Sequence, residues 1–580
     1  MESAEIVAEI GAAVGAVGGS GTLGLTIAPG VGVGLATPTH RWAVPVTAID
    51  PYALVVAVEA AIGPRWVWWS IDTANALVGG SVRVMRCWDV ASTQRLLTGG
   101  WRTDPGRVWA QLNDLDATVL PTASPDDLFS SMTESDAVGP VRADGYLDAY
   151  WVAGAWAEST DRLAEWAARA IDAQHRQIMR LGKLTANPAA VATARSESAA
   201  ELLCAELAHD GLPMDRGVAE EMIGELVGPR TRTMAELYAQ RAQRDAEVLR
   251  HAPTGSSADL RNPAQVRSLL KLIGIDVPDT RAGRLRELQG VHPLLDALLV
   301  WRKAERVSTT YGYNWLDEHV GADGRLRGDW SSCDGAAGRM TASAGLHNMP
   351  AHMRAAVIAE PGYRFVRADL GQIEPRILAA VSGDAALARA TRDDDMYTPV
   401  ARELGVDRAT AKLAVLGAMY GQTTGQGAHA LRRLQTSYRV AMAYLEEADV
   451  AGQTGRELRT YGGRLIPMGS TNTEGMNDRD ARSRAAARGR YARNAVVQGA
   501  AAEFFKVWAA TMRARSASLG ARIVLCLHDE LLIHAPRAAA DDVAELLARC
   551  LDEAAARWSP VASVRFVADV SVVDRWSDAK

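Results

Sequence analysis

The stretch IVLCLHDELLIHAP, residues 523–536, constrains the fold of this chain more than any other. Two apolar runs flank His528-Asp529-Glu530, a pattern that predicts a β-hairpin with the acids at its turn. Arms this apolar are buried, so the charged tip must project from the sheet near the ends of other strands. As a turn, the tripeptide needs no function.

A second stretch, RFVRADLGQIEPRILAAVSG, joins a strand-like run directly to a helical pattern. It sets Asp369 at the C-terminal lip of the strand and Glu374 five residues behind. An Asp there can be a helix cap, or one of the functional groups that α/β proteins carry at strand ends. If this strand pairs beside the hairpin, Asp369 and Asp529 converge from positions 160 residues apart. Two carboxylates held that close repel, and a divalent cation between them makes the arrangement favourable. Aspartate oxygens suit magnesium. Two such ions about 3.5–4 Å apart can activate an attacking hydroxyl and neutralise a leaving phosphate oxygen.

A third segment, RATAKLAVLGAMYG, spaces Arg408, Lys412, Leu416 and Tyr420 every fourth residue, on one helix face. Charge for phosphates stands at one end and a flat ring for bases at the other. An ordinary amphipathic helix with a basic edge has the same pattern. No GxxxxGK[ST] occurs, which excludes a Walker-type phosphate loop.

The chain is long enough for several cores, 580 residues with 48% hydrophobic side chains. Its net charge of −6 does not announce a polyanion binder, yet six arginines crowd between Arg479 and Arg493. They read equally as a solvated helix face. Five single cysteines without a CxxC pair indicate neither a zinc ribbon nor a disulfide framework and fit a reducing cytoplasm. The N-terminus lacks a basic n-region, and its apolar run is broken by Gly and Pro, against a signal peptide or membrane span. Short strands, LGLTIA and VGVGLA, are expected there around a Pro-Gly turn, with further β-like runs at RWVWWSID and SVRVMRCWDV. A polar stretch, LTANPAAVATARSESAA, precedes long amphipathic helices, HPLLDALLVWRKAERVSTTYGYNWL reading as one of them. Strand-like segments return at RFVRADL, at the hairpin and at VRFVADVSVV.

Together the three segments resemble the polymerase module of family A DNA polymerases, the group of bacterial DNA polymerase I. ADLGQIEPR resembles the family's first palm motif, RATAKLAVLGAMYG its RxxxK…GxxYG fingers helix, and LHDE its last palm motif. AGRMTASAGLHNMP, GRYARNAVVQGAAAE and ELAHDGLPMD resemble its template-primer, RxxxNxxxQG and thumb segments. The likeness spans roughly residues 195–580 and is greatest to shortened polymerase I-like proteins of actinobacteria and their phages. It implies a multidomain α/β and α+β chain, a right hand of palm, fingers and thumb behind an exonuclease-like domain. The expected boundaries are 1–190 exonuclease-like, 191–320 thumb, 321–390 palm, 391–480 fingers and 481–580 palm again.

Carried over position by position, the resemblance makes Asp369 and Asp529 ligands of two Mg2+ ions, replaceable by Mn2+, with the Leu370 carbonyl as a further ligand. Glu374 becomes a steric gate against a ribose 2′-hydroxyl. Arg408 and Lys412 grip the triphosphate, Lys412 also protonating the departing pyrophosphate. Tyr420 lines the nascent base pair, and Gln372, Leu416 and Tyr397 complete the nucleotide site. Arg339, Asn348, Arg490, Asn494, Gln498, His528 and Glu530 contact primer-template DNA. Leu416 replaces a customary aromatic and Tyr397 a phosphate-binding His; its hydroxyl can donate one hydrogen bond but no positive charge.

The N-terminal third resembles the family's 3′→5′ exonuclease domain, which normally carries a DxE on its first strand and a late YxxxD on a helix. Here SIDTANA offers Asp72 with Ala74 in place of the Glu and reads as a helix start, while WAARAIDAQ puts Trp166 and Ala170 in the places of Tyr and Asp. An inactive scaffold is expected. Nothing resembles the large 5′-nuclease domain. The overall expectation is a monomeric, cytoplasmic polymerase of a bacterium or phage, adding deoxynucleotides to a primer on template DNA without a membrane. The alternatives are a single-subunit RNA polymerase, a non-catalytic DNA-binding protein and a polymerase with an active exonuclease.

Overall fold

The computed structural model describes residues 3–16, 21–122, 139–335, 337–421, 428–472, 477–559 and 564–579. Two compact units emerge. The first comprises Met1–Asp210, Asp329–Thr341 and Gly362–Val573; the second Gly211–Gly328, Ala342–Pro361 and Asp574–Lys580.

In the first unit an N-terminal sheet is built from β1 (Thr22–Ala28), β2 (Gly32–Ala36), β3 (Arg41–Pro45), β4 (Arg65–Trp68) and β5 (Cys87–Asp89), in the order β3-β2-β1-β4-β5. LGLTIA and VGVGLA pair antiparallel as their sequence predicts, whereas SVRVMRCWDV supplies only the three residues of β5. The glycines in β1 and β2 have a packing cause. Helix α1 (Thr160–Gly182) lies so close that a Cβ on Gly34 would sit 2.1 Å from the Leu163 carbonyl carbon, and one on Gly24 2.6 Å from the Ala167 oxygen. An N-terminal helix, Ser3–Ala16, runs through Gly11 and Gly15, where interruption was expected.

Helix α2 (Ala190–Asp210) begins inside the stretch that reads as a polar linker. Its small and polar residues Ala190, Thr193, Ala194, Glu197 and Ser198 are buried, so paired polar groups stand where periodicity looks for an apolar stripe.

The second sheet of this unit contains β6 (Tyr363–Leu370), β7 (Arg522–Leu527), β8 (Glu530–Pro536) and β9 (Ala568–Val573), antiparallel throughout and ordered β7-β8-β6-β9. The predicted hairpin forms as β7 and β8. The run VRFVADVSVV becomes a strand only from Ala568. Phe365, Val366, Ala368 and Leu370 of β6 are all buried, as a central strand requires. Helix α3 (Ile373–Ser382) follows β6 at once, and α4 (Tyr397–Leu404), α5 (Arg408–Met419) and α6 (Arg439–Thr454) come next.

Helix α7 (Asp478–Ser516) spans 39 residues, about 58 Å at 1.5 Å per residue. Its first half is arginine-rich, and its second buries Phe504 and Trp508, Phe504 stacking on Phe566 at 4.1 Å. Ions also fasten α7 to α2: Lys506 reaches Glu197 at 2.7 Å, and Arg513 takes Glu206 with two bonds of 2.6 and 2.7 Å. Arg464 adds a second cation on Glu197 at 2.6 Å.

The second unit is mainly helical around a core of Leu294, Leu298, Trp301 and Leu270. The single long helix expected from His292 onward is two, Pro293–Thr310 and Tyr313–His319, because Gly312 is extended and starts the second. Thr233 and Glu236 form a reciprocal cap on Met234–Leu249. Among the described residues no helix is long and apolar enough to cross a membrane.

Candidate active site

Strand register builds the site. Asp369, next to last in β6, stands opposite Glu530 of β8 on one side and Asp569 of β9 on the other. The Leu370 amide donates to the Asp529 carbonyl at 3.0 Å, tying the hairpin turn to the end of β6. The two aspartates predicted to converge are thus neighbours. Burial pushes the Asp369 carboxyl up to about 6, the Asp529 charge adding to the effect, and burial raises Asp529 as well. Gln372 (φ 50°) and His528 (φ 48°), the residues flanking these two strand ends, both take left-handed backbone. Non-glycine residues held there carry strain of about 1–3 kcal/mol each, a feature that clusters at functional sites. Burial and the Arg339 charge lower the His528 pKa.

Beside the acids lies a cleft of about 210 Å³, lined by Asp529, Leu370, Gln372, Glu374, Tyr397, Lys412, Leu416, Arg339 and His528. The side chain of Asp407 accepts the Thr410 amide at 2.9 Å and so starts α5, from which Lys412 and Leu416 face the cleft. Tyr420 caps the far end of this helix.

Several predicted residues have partners that the sequence did not reveal. Glu374 accepts from Arg339 at 2.9 Å and from the Tyr420 hydroxyl at 3.4 Å. Arg408 grips Asp395 with bonds of 2.7 and 3.0 Å, its guanidinium 5.8 Å from the Tyr397 ring centre. Asp395 is held below its ordinary value by that hydrogen bond, and burial lifts Tyr397 to about 12. Gln372 accepts on its amide oxygen from the Met396 amide and from Arg376, both at 3.2 Å. Arg376 itself is fully buried and also donates to the carbonyls of Gly371, Thr391, Asp393 and Asp394. It staples the turn after β6 to the loop that carries Asp395.

On α7, Arg490, Asn494 and Gln498 share a face at four-residue spacing. Arg490 is exposed, its Cγ 3.0 Å from where a Cβ on Gly421 would stand. The side-chain amide oxygen Oδ1 of Asn494 is buried without a hydrogen-bond partner among the described residues. Asn348 belongs to the second unit, where its carbonyl accepts from Arg306.

The N-terminal sheet differs. Its first strand, TLGLTIA, carries no acid, and Asp72 lies in a helix, Ile71–Gly79, that starts on the Ser70 cap. Trp166 and Ala170 are buried in α1, the Trp166 carbonyl accepting the Trp69 indole at 3.2 Å.

An antiparallel sheet with two carboxylates at its lip, faced by a cation-bearing helix, places the chain in the structural class of right-hand polymerases. The family model described as DNA polymerase family A matches residues 231–578, more than half of the chain. The chain belongs to DNA polymerase family A. The thermostable DNA polymerase I of Thermus caldophilus is 30% identical over 334 residues, 52% of this chain and 38% of its own length. DNA polymerase I of Deinococcus radiodurans is 27% identical over 381 residues, 58% and 38% of the two chains. The chain thus spans well under half the length of these curated relatives. The solved POL domain of Pol1 from M. smegmatis, in complex with DNA primer-template and dNTP, superposes with a TM-score of 0.67 at 20% identity, covering 98% of each chain. At that identity the likeness is one of fold.

Proposed function

We propose that this chain is a template-directed DNA polymerase that adds deoxynucleotides to a primer 3′-hydroxyl. The observation that carries the reading is the meeting of Asp369 and Asp529 beside a cleft that Lys412 lines. Family membership supports it. The relatives named above are DNA polymerases, and the solved domain holds primer-template DNA and a nucleotide.

In the reaction the primer 3′-oxygen attacks the α-phosphorus; an O–P bond forms there while the bond to the β-phosphate oxygen breaks, releasing pyrophosphate. Lys412 protonates the departing pyrophosphate oxygen, a role worth about 10² to 10⁴ in rate. Arg408 leaves Asp395 to hold the triphosphate, with the Tyr397 hydroxyl as a further donor. Glu374, held by Arg339 and Tyr420, stands against the sugar and excludes a 2′-hydroxyl. Gln372 and Leu416 line the same space, while Arg490, Asn494, Gln498, His528 and Asn348 contact the primer-template.

The donors fit magnesium. Two aspartate carboxylates and the Leu370 carbonyl are hard oxygens; burial disfavours the charge on both aspartates, and at Asp369 the Asp529 charge adds to it, a penalty that a divalent cation relieves. Bound there, Mg2+ or Mn2+ would acidify the attacking hydroxyl and neutralise charge on the phosphates.

The N-terminal domain serves as a scaffold in this reading: its first strand carries no acid, and Trp166 and Ala170 stand where the resemblance expects Tyr and Asp. The test is primer extension by the purified chain with Mg2+ and deoxynucleotides, beside Asp529→Ala. Extension lost in the variant with DNA binding retained is expected; equal synthesis by both proteins would refute the assignment.

A further inference from the structure

Arg367 lies in the middle of the acid row. Alternation along β6 puts it on the same face as Asp369, and the register sets Glu530 and Asp569 on either side of Asp369, so the Arg367 side chain reaches along the strand to all three. Its Nη2 donates to Asp369 and, at 3.1 Å, to Glu530, while Nη1 stands 3.6 Å from Asp569. The side chain is only 11% exposed. An arginine does not deprotonate in a protein, so this positive charge is permanent.

One guanidinium therefore serves three carboxylates, one of which is the Asp369 that the polymerase reading assigns to metal. A divalent cation arriving at Asp369 competes with Arg367 for the carboxylate and meets a like charge a few ångströms away. A triphosphate brings the negative charge that offsets this penalty. We propose that Arg367 is a positioning residue, a resident counter-cation that holds the acid row together without metal and keeps divalent-ion affinity low until a nucleotide arrives. The inference rests on the reading of Asp369 and Asp529 as the metal-binding pair.

The experiment measures Mn2+ binding to the whole chain by electron paramagnetic resonance, first without DNA or nucleotide. Arg367→Met should bind Mn2+ about tenfold more tightly than the unaltered protein. Added dATP should bring the two affinities together. Thermal melting in chelator should show the variant less stable, with a larger gain on adding Mn2+ than the unaltered chain shows. If Arg367→Met fails to fold, Arg367→Gln keeps hydrogen bonding without the charge and carries the same expectation. Equal or weaker Mn2+ binding by a folded variant overturns the role of Arg367. A gain that survives Asp529→Asn also overturns it, because the ion then sits elsewhere. Primer extension by the unaltered chain tests the parent reading separately: extension with no change in Mn2+ affinity sinks the counter-cation alone.

Discussion

The two sheets of the first unit make opposite use of their strand ends. In the β7-β8-β6-β9 sheet the lip gathers Asp369, Asp529, Glu530 and Asp569, raised carboxyls included, around one arginine and a cleft. In the N-terminal sheet the first strand has a glycine, Gly24, and a helix backbone rests directly on it. The acid that sheet does bury, Asp89, accepts the Trp68 indole at 2.9 Å and caps a helix at the Ser92 amide at 2.7 Å. Burial raises it too, helped by the Glu201 charge. A shifted carboxyl is therefore no proof of chemistry: Asp89 also has an acid, Glu201, near it, and what separates the sheets is the open cleft beside Asp529.

The sharpest way to break this contrast is to remove an acid from the lip. Asp369→Asn should slow extension on the order of 10⁴-fold, corresponding to several kcal/mol of lost stabilisation, read by single-turnover kinetics. Lys412→Leu, across the cleft, should lose on the order of 10²–10³ with primer-template affinity little changed; a loss confined to DNA binding would remove its acid role. Glu374→Ala should lower discrimination against ribonucleotides about tenfold or more, checked by competing rATP with dATP.

A buried acid away from the lip sharpens the comparison from the other side. Glu503 accepts from the Thr460 hydroxyl and from the Gly462 amide at 2.9 Å, and burial raises its carboxyl to about 7. Because the folded value exceeds the unfolded one, its stabilising contribution is complete below the ordinary glutamate range and is lost as pH rises through 7. Glu503→Gln should flatten the fall in stability between about pH 5 and about pH 8 by on the order of 3 kcal/mol, measured by urea unfolding. The smallest effect belongs to the N-terminal sheet. Asp72→Ala should leave extension within about twofold, and a 3′-labelled duplex given metal but no nucleotide should keep its end; progressive shortening would restore a nuclease to the reading.

Much of the lip was legible in sequence. The apolar arms around His528-Asp529-Glu530 and the strand-to-helix switch at Asp369 are local patterns, and local patterns survive folding. Arg367 was visible two residues before Asp369, but its three-acid partnership depends on register between strands far apart in the chain. The same holds for Arg376, whose acceptors are mostly carbonyls that any sequence possesses. The start of α2 was hidden for another reason: Glu197 is buried because Lys506 and Arg464 come to it, and no window of residues 190–210 contains that information.

Those cross-chain ions have a bearing on how such a molecule can shrink. Cutting away the first 210 residues would strand Lys506, Arg464 and Arg513 without their glutamates, and a buried charge left alone costs roughly 3–5 kcal/mol. On the proposed reading, a nuclease-like third without chemistry of its own is still not free to be deleted: its glutamates are masonry for the segment that carries Asp369 and Asp529.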